Sequence, residues 1–233
     1  MLIDTHAHSK GISRCCRLTA PEVIRAAMDA GIEGIVLTNH YQKYYVPDGD
    51  AAGFAARYMA EYRYARDCGE AVGFPVLFGI EVTLHQHNDA HVLIFGVDEE
   101  FVLRYPTIYD MSLADLAAIV HEIGGVLVQA HPYRRTPNLV DCTYLDGIEV
   151  NCHPGYEGTH LDEVLAIAKA HGLLLTAGGD YHADTRRPFC GMYLPDSITD
   201  TATLAKHVRE AKEATLQVDE ADGSFCEKIT YTR

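Results

Sequence analysis

The chain opens Met1-Leu2-Ile3-Asp4-Thr5-His6-Ala7-His8. Leu2 to Thr5 reads as a short strand, and His6 and His8 follow it two positions apart. In extended chain they project to the same side and can hold one ion together. Alone, that spacing also fits a surface strand with solvated imidazoles. It gains weight because the same arrangement, an apolar run closed by a polar group, recurs along the sequence. Gly34 to Thr38 ends in Asn39-His40, Val76 to Val82 carries Glu81, and Val126 to Ala130 ends in His131. Gly147 to Val150 ends in Asn151, and Leu173 to Ala177 leads to Asp180 and His182. Val92 to Val97 and Gly191 to Leu194 are further strand candidates.

Amphipathic segments separate these runs. Thr19, Pro21 and Glu22 supply a cap, a first-turn proline and an early carboxylate, and Val23, Ile24, Ala27 and Met28 follow at helical spacing as far as Ala30-Gly31. Ala51 to Cys68, Ser112 to Ile123, Gly158 to His171 and Thr201 to Ala211 are comparable. Strands alternating with helices are the mark of β/α units around a parallel sheet. The expectation is an α/β fold, a β/α barrel, whose strand ends gather the polar residues on one face. His91 precedes its strand; it rejoins the group if residues 76–84 and 91–97 form a hairpin through the polar loop His85 to Ala90.

A length of 233 residues is normal for one such barrel, and no repeat or linker divides it, so one domain over 1–233 is expected. A net charge of −14 argues against holding long nucleic acid. A small anion stays compatible with it where bound cations reverse the local sign. No segment reads as a leader or membrane span, so no membrane association and a cytoplasmic location are expected. Seven scattered cysteines, an odd number, are expected to be reduced thiols.

Imidazoles mixed with carboxylates suit Zn²⁺, Mn²⁺ or Fe²⁺ better than Ca²⁺ or Mg²⁺. A carboxylate such as Glu81 can bridge two ions. Paired ions activate water and stabilise both oxygens of a displacement, a geometry that phosphate esters fit. Arg134, after His131-Pro132-Tyr133, offers a guanidinium fork for phosphate oxygens, whereas Arg135 reads equally well as solvated surface.

In motif order the sequence resembles the polymerase and histidinol phosphatase (PHP) family of metal-dependent phosphoesterases. The residues that carry the likeness are Asp4-Thr5-His6-Ala7-His8, Leu37-Thr38-Asn39-His40, Gly79-Ile80-Glu81, His91-Val92-Leu93, Ala130-His131-Pro132 and Gly179-Asp180-Tyr181-His182. The resemblance implies a distorted (β/α)7 barrel and two or three divalent ions, Zn, Mn or Fe. It implies that His6, His8, Glu81 and Asp180 hold one ion, that Glu81 bridges to a second held by His91 and His131, and that His40 and His182 belong to a third site. His6, His8, Glu81, His131, Asp180 and His182 would then form the catalytic constellation. The partner implied is a small phosphorylated substrate, a histidinol-phosphate-like monoester or nucleotide, with short oligonucleotides next.

The departure lies in Ser9 to Leu18, where many relatives place an acidic or histidine ligand and this chain has none. Cys15 or Cys16 stands there instead, either as a thiolate ligand or as an ordinary small hydrophobe. Asn39 also replaces a frequent Asp, which weakens orientation of the neighbouring histidine. Tyr41 and His153 are further substrate-binding candidates. Tyr58, Tyr62 and Tyr64 read as core, His85 and His87 as solvated loop, and His121, His160, His171 and His207 as surface or packing. Two rival readings are an amidohydrolase-type metal hydrolase and a non-catalytic metal-binding module.

Overall fold

The structure is a computed structural model and describes residues 1–134, 136–153, 158–182, 190–219 and 226–233. The strands are β1 (Leu2–Ala7), β2 (Gly34–Leu37), β3 (His40–Tyr41), β4 (Val76–Phe78), β5 (Ile80–Leu84), β6 (Ala90–Phe95), β7 (Val126–Gln129), β8 (Gly147–Asn151), β9 (Leu174–Gly178), β10 (Gly191–Tyr193), β11 (Glu213–Asp219) and β12 (Cys226–Thr232). The helices are α1 (Ala20–Asp29), α2 (Ala51–Glu70), α3 (Glu99–Arg104), α4 (Leu113–Glu122), α5 (Leu161–His171) and α6 (Thr201–Glu210). None is long and apolar enough to cross a membrane.

Two six-stranded mixed sheets organise these elements, in the orders β12-β11-β10-β1-β2-β4 and β3-β5-β6-β7-β8-β9. The expected closed barrel is not found as one hydrogen-bonded ring among the described residues. In its place the two sheets meet along two seams. At the first, the chain leaves β2 for β3 and β4 for β5 after a one- or two-residue break. Gly79 N donates to Leu37 O at 3.1 Å, and Glu81 N to Asn39 O at 3.3 Å. At the second, Ala7 bridges Tyr181 in parallel and Asp180 N donates to His6 O at 2.9 Å. The break between β4 and β5 falls at Gly79, where an added Cβ would lie 2.7 Å from the Thr38 methyl carbon.

The hairpin expected around His91 is present. β5 and β6 pair antiparallel with Thr83 opposite His91 and Glu81 opposite Leu93. Thr83 and Glu81 share a face, so His91 lies diagonally across from Glu81. Cys152 and Cys190 form a disulfide, with Cα atoms 6.1 Å apart, which corrects the expectation of reduced thiols throughout; Cys15, Cys16, Cys68 and Cys142 are free. Val92, Leu93, Ile94, Val126, Leu127, Val128, Ile148 and Leu174 form a fully buried core beneath the strand ends, and that core fixes where the polar residues above it stand.

Candidate metal centre

Alternation along β1 puts Asp4 and His6 on one side, and His8 continues that side just past the strand. All three are fully buried. Asp4 Oδ1 accepts from His6 N at 2.9 Å and from Gly179 N at 3.0 Å, tying the turn that carries Asp180 to the first strand. His6 Nδ1 lies 2.9 Å from Glu149 Oε1, and His8 Nδ1 lies 3.0 Å from Ser13 Oγ. Each partner holds one ring nitrogen and directs the other, Nε2, inward, the arrangement that metal-binding histidines use.

Those inward atoms meet two carboxylates. Glu81 Oε1 is 2.6 Å from His91 Nδ1, 2.9 Å from His131 Nε2 and 3.4 Å from His6 Nε2. Its Oε2 is 3.5 Å from His8 Nε2 and in contact with His40 Nδ1. Asp180 Oδ1 is 2.9 Å from His8 Nε2, 3.5 Å from His6 Nε2 and 3.4 Å from His182 Nδ1. Ligand bonds of about 2.0–2.2 Å at tetrahedral angles put neighbouring ligand atoms roughly 3.4 Å apart. The separations around His6, His8, Glu81 and Asp180 scatter about that value. Among the described residues, His6 Nε2, His8 Nε2, His40 Nδ1, Glu81 Oε2 and His182 Nε2 have no hydrogen-bond partner although they are buried. Buried polar atoms left in that state are costly, and a cation satisfies them together. The residues therefore fit divalent ions.

Three groups have ligand atoms all within 4.8 Å of one another: His6, His8, Glu81 and Asp180; His40, Glu81 and His91; and His8, His40 and His182. The first is the set expected for one ion. In the second, His40 joins Glu81 and His91, with His131 reaching the same carboxylate. The third adds His8 to the expected His40 and His182.

Electrostatics follow from this crowding. Burial is the strongest influence on His6 and favours the neutral ring, but Glu149, Asp180 and Glu81 outweigh it and hold its pKa well above the usual value. Burial opposes the charge of Glu81 as well, yet His40, His91 and His6 hold that carboxyl well below its ordinary range. Asp180 is likewise lowered against burial, by His6 and His182. His8 is pushed far down by burial, assisted by His182 and His40. Burial resists ionisation of the Cys15 thiol, but contacts with His182 and His40 bring it down to about 6. Two of the grouped or contacting residues, His131 at φ 26° and Asp180 at φ 47°, sit in the left-handed region that non-glycine residues rarely adopt.

Beside His91 and His131 opens a cleft of about 330 Å³, with Arg134, Asn88 and Asn138 on its walls. Arg134 is half-buried on the wall of this cleft; Arg135 lies outside the described residues. His153 is at the rim, its ring centroid 5.7 Å from that of His182. Tyr41 corrects the expectation. It is fully buried, packs on Phe54 and Tyr58, and donates its hydroxyl to Pro106 O at 3.1 Å, because its strand neighbour His40 takes the face toward the site. Tyr64 is 51 % exposed, so it is surface rather than core. Asn39 accepts from Ser9 N and Ser13 Oγ, both at 2.8 Å, and so positions the loop that holds His8. His87 accepts the Leu113 amide at 3.1 Å at the start of α4, a structural contact rather than simple solvation.

Sequence reasoning missed Glu149. Besides His6, it takes the His131 amide and the Asn151 side-chain amide, both at 3.0 Å. A lone carboxylate inside the apolar run that ends at Asn151 was the available signal.

No family profile matches the sequence, and no curated protein does either. Solved structures do match in fold. A protein from Bifidobacterium adolescentis named as an inferred metal-dependent phosphoesterase is 19 % identical over 90 % of this chain and 96 % of its own, with TM-score 0.56. A two-domain protein from Bacteroides vulgatus containing an inferred PHP-like metal-dependent phosphoesterase is 18 % identical, TM-score 0.65, over 93 % of this chain and 64 % of its own. PsfC from Pseudomonas syringae is 17 % identical over all of this chain and 91 % of its own, TM-score 0.61. An amidohydrolase from Chromobacterium violaceum, with bound sulfate and no metal, is 19 % identical over 88 % and 96 %, TM-score 0.51. The chain shares an α/β fold with PHP-like proteins, and this likeness of fold stands beside the motif resemblance.

Proposed function

We propose that this chain is a PHP-type metal-dependent phosphoesterase acting on a small phosphomonoester, its two sheets forming the halves of a distorted (β/α)7 barrel. One observation carries the reading: the centre offers many imidazoles and few carboxylates. Two divalent ions would bring +4, and Glu81, Asp180 and the adjoining buried Glu149 would return −3, so the centre would stay positive inside a protein of net charge −14. That surplus, buried and weakly screened, favours an anion such as a phosphate monoester.

Divalent ions held there would supply a water nucleophile at neutral pH and charge to offset the phosphoryl oxygens. The chain's own residues supply the rest. Glu149 and Ser13 fix the tautomers of His6 and His8. Arg134 grips the phosphate from the cleft, and the rim histidine His153 holds the proton that the leaving oxygen takes. The amidohydrolase neighbour favours a second reading, in which the attacked atom is a carbonyl carbon.

The test is a hydrolysis panel on protein reconstituted with Zn²⁺, Mn²⁺ or Fe²⁺ and counted by elemental analysis. Phosphomonoesters should be turned over, and Arg134→Ala should raise KM for them about 10- to 100-fold. A metallated protein that ignores phosphoesters and cleaves lactones or amides establishes the second reading. One that binds metal and cleaves nothing in the panel refutes both.

A further inference from the structure

The cleft beside His91 and His131 lies between two segments, the tip of the β5–β6 hairpin and the stretch that follows β7. The tip bends there because Asn88 and Asp89 are both left-handed, at φ 55° and 54°, a conformation that these residue types tolerate best after glycine. Gln129, 1 % exposed at the end of β7, holds the opposite segment. Its Nε2 donates to Asn138 O at 2.6 Å, and its Oε1 accepts from Val140 N at 3.1 Å. Asn138 N donates to Pro132 O at 2.9 Å, and Asn138 Nδ2 crosses to Asn88 O at 3.0 Å. The two walls are therefore joined by a hydrogen bond and one of them is anchored by a buried amide. A cleft fixed in this way spends little ordering entropy on its occupant.

The polar residues on those walls are short: Asn88, Asp89, Thr136 and Asn138. Among the described residues, neither the Asn88 side chain nor the Thr136 hydroxyl has a protein hydrogen-bond partner. Amide and hydroxyl groups both donate and accept, which is the complement of an alcohol. Other leaving groups fit less well. No phenyl, phenol or indole ring lines the described walls, and Tyr133, between Pro132 and Arg134, stacks instead on His160 with ring centroids 5.1 Å apart, so a nucleobase finds no stacking platform. A cationic group would lie beside the Arg134 guanidinium and the positive centre, and the Asp89 carboxylate is already engaged, with Oδ1 2.7 Å from His85 Nδ1. A volume of about 330 Å³ is at the small end of ligand sites.

We infer that this cleft receives the leaving group of the substrate and selects a neutral, hydroxyl-rich one, as in a sugar or polyol phosphate, with Asn88 and Thr136 as specificity-determining residues. The inference rests on reading the centre as a phosphoesterase. Hydrolysis of such a monoester consumes one water, breaks the bond from phosphorus to the sugar oxygen, and releases inorganic phosphate and the free polyol. Hydroxyls of the leaving group exchange hydrogen bonds with the two walls, while Arg134 holds the phosphoryl oxygens.

The test compares metal-reconstituted protein on a hexose phosphate, a hexitol phosphate, adenosine monophosphate, phosphoethanolamine and methyl phosphate, whose leaving group is too short to span the cleft. With two or more hydrogen bonds of ordinary strength at stake, kcat/KM should be at least about 10-fold higher for the hexose and hexitol phosphates than for the other three. Asn88→Gly suits the left-handed backbone, and Thr136→Val keeps the shape of the side chain. Each should lower the ratio of kcat/KM for hexose phosphate to that for methyl phosphate about 3- to 10-fold, through KM. A preference for the nucleotide or for phosphoethanolamine, no preference at all, or a ratio that neither variant moves overturns the polyol assignment and leaves the phosphoesterase standing. Metallated protein that hydrolyses none of these esters overturns the phosphoesterase reading and this inference with it.

Discussion

Replacing Glu149 by glutamine keeps the shape of the side chain and changes which of its atoms donate. Glu149 accepts on both oxygens: Oε1 faces His6 Nδ1 at 2.9 Å, and Oε2 faces the His131 amide and Asn151 Nδ2, both at 3.0 Å, with His6 Nδ1 also 3.1 Å away. In the glutamine variant one of those oxygens becomes an NH₂ group. If it replaces Oε2, it meets two donors with nowhere to turn. If it replaces Oε1, it turns a donor toward the His6 Nδ1 proton, which is left with only Oε2 at 3.1 Å, an oxygen already shared by two other donors. Either way one buried group loses its partner, at a cost of about 1–3 kcal/mol. For a protein of this size each kcal/mol lowers the melting temperature by about 2–4 °C, so the metal-free variant should melt about 2–12 °C lower. Affinity for the ion at His6 should fall about 10- to 100-fold, the usual effect of losing a partner that orients a ligand. Competition against a fluorescent zinc chelator measures the second quantity and thermal unfolding of chelator-treated protein the first. A Glu149→Gln protein that binds zinc within twofold of the parent and melts at the same temperature would refute the argument that this carboxylate sets the tautomer of His6.

Gly178 ends β9 where an added Cβ would lie 2.4 Å from the Cβ of His6 and 2.6 Å from Glu149 Oε1. Gly178→Ala should therefore cost at least about 1–3 kcal/mol by overpacking and release bound metal, measured by unfolding and elemental analysis; a neutral variant would show that β1 and β9 are not in contact. Tyr41→Phe removes only a hydroxyl bonded to Pro106 O, so kcat/KM should stay within twofold while stability falls by about 1 kcal/mol; a large loss of kcat/KM with normal folding would return Tyr41 to the substrate site. For His40 the largest influence is burial, which favours the neutral ring, but Glu81 and Cys15 outweigh it and raise its pKa from 6.5 to about 10. A raised folded-state pKa stabilises fully below 6.5 and stops doing so as pH climbs through 10. His6 and His182, also raised, act in the same direction and the lowered Cys15 thiol in the opposite one, so the metal-free protein should on balance melt at lower temperature across that window, while apparent zinc affinity rises as the competing protons leave. A melting temperature of metal-free protein that does not fall between pH 7 and 10 would count against a protonated His40.

Much of this architecture is legible locally. The runs at Ile3, Ile35, Val92, Val126 and Leu174 are strands because apolar stretches of that length bury on both faces, and Thr19 with Pro21 and Glu22 starts α1 as its capping box requires. The β5–β6 pairing is legible too, since only a hairpin returns His91 to Glu81. What sequence hides is parity and distance. Tyr41 follows His40 directly, and in an extended pair the second residue must face the other way, so proximity in sequence placed it in the core. Glu149 lies 143 positions from His6, and no local pattern links them. Cys152 and Cys190 meet across the two sheets, one just past β8 and the other just before β10, a contact no local pattern announces. Six-residue α3 is too short for helical periodicity to register, although Asp98 caps it by accepting the Phe101 amide at 2.9 Å.

The two bends at His131 and Asp180 connect these separate observations. Each residue occupies a left-handed conformation that costs on the order of 1–3 kcal/mol, so something must hold it there. The holding groups are themselves parts of the centre: the His131 amide donates to Glu149, and the Asp180 amide to the carbonyl of His6. Glu149 also fixes His6, and Asp4 fixes both the His6 amide and Gly179. Backbone strain, tautomer choice and ligand placement are therefore one hydrogen-bonded network with few independent members. Substitutions inside it act on shared partners, so their effects on metal binding cannot add as those of distant sites do. A single orienting residue such as Glu149 then acts on both sides of Glu81, through the ring of His6 and the amide of His131.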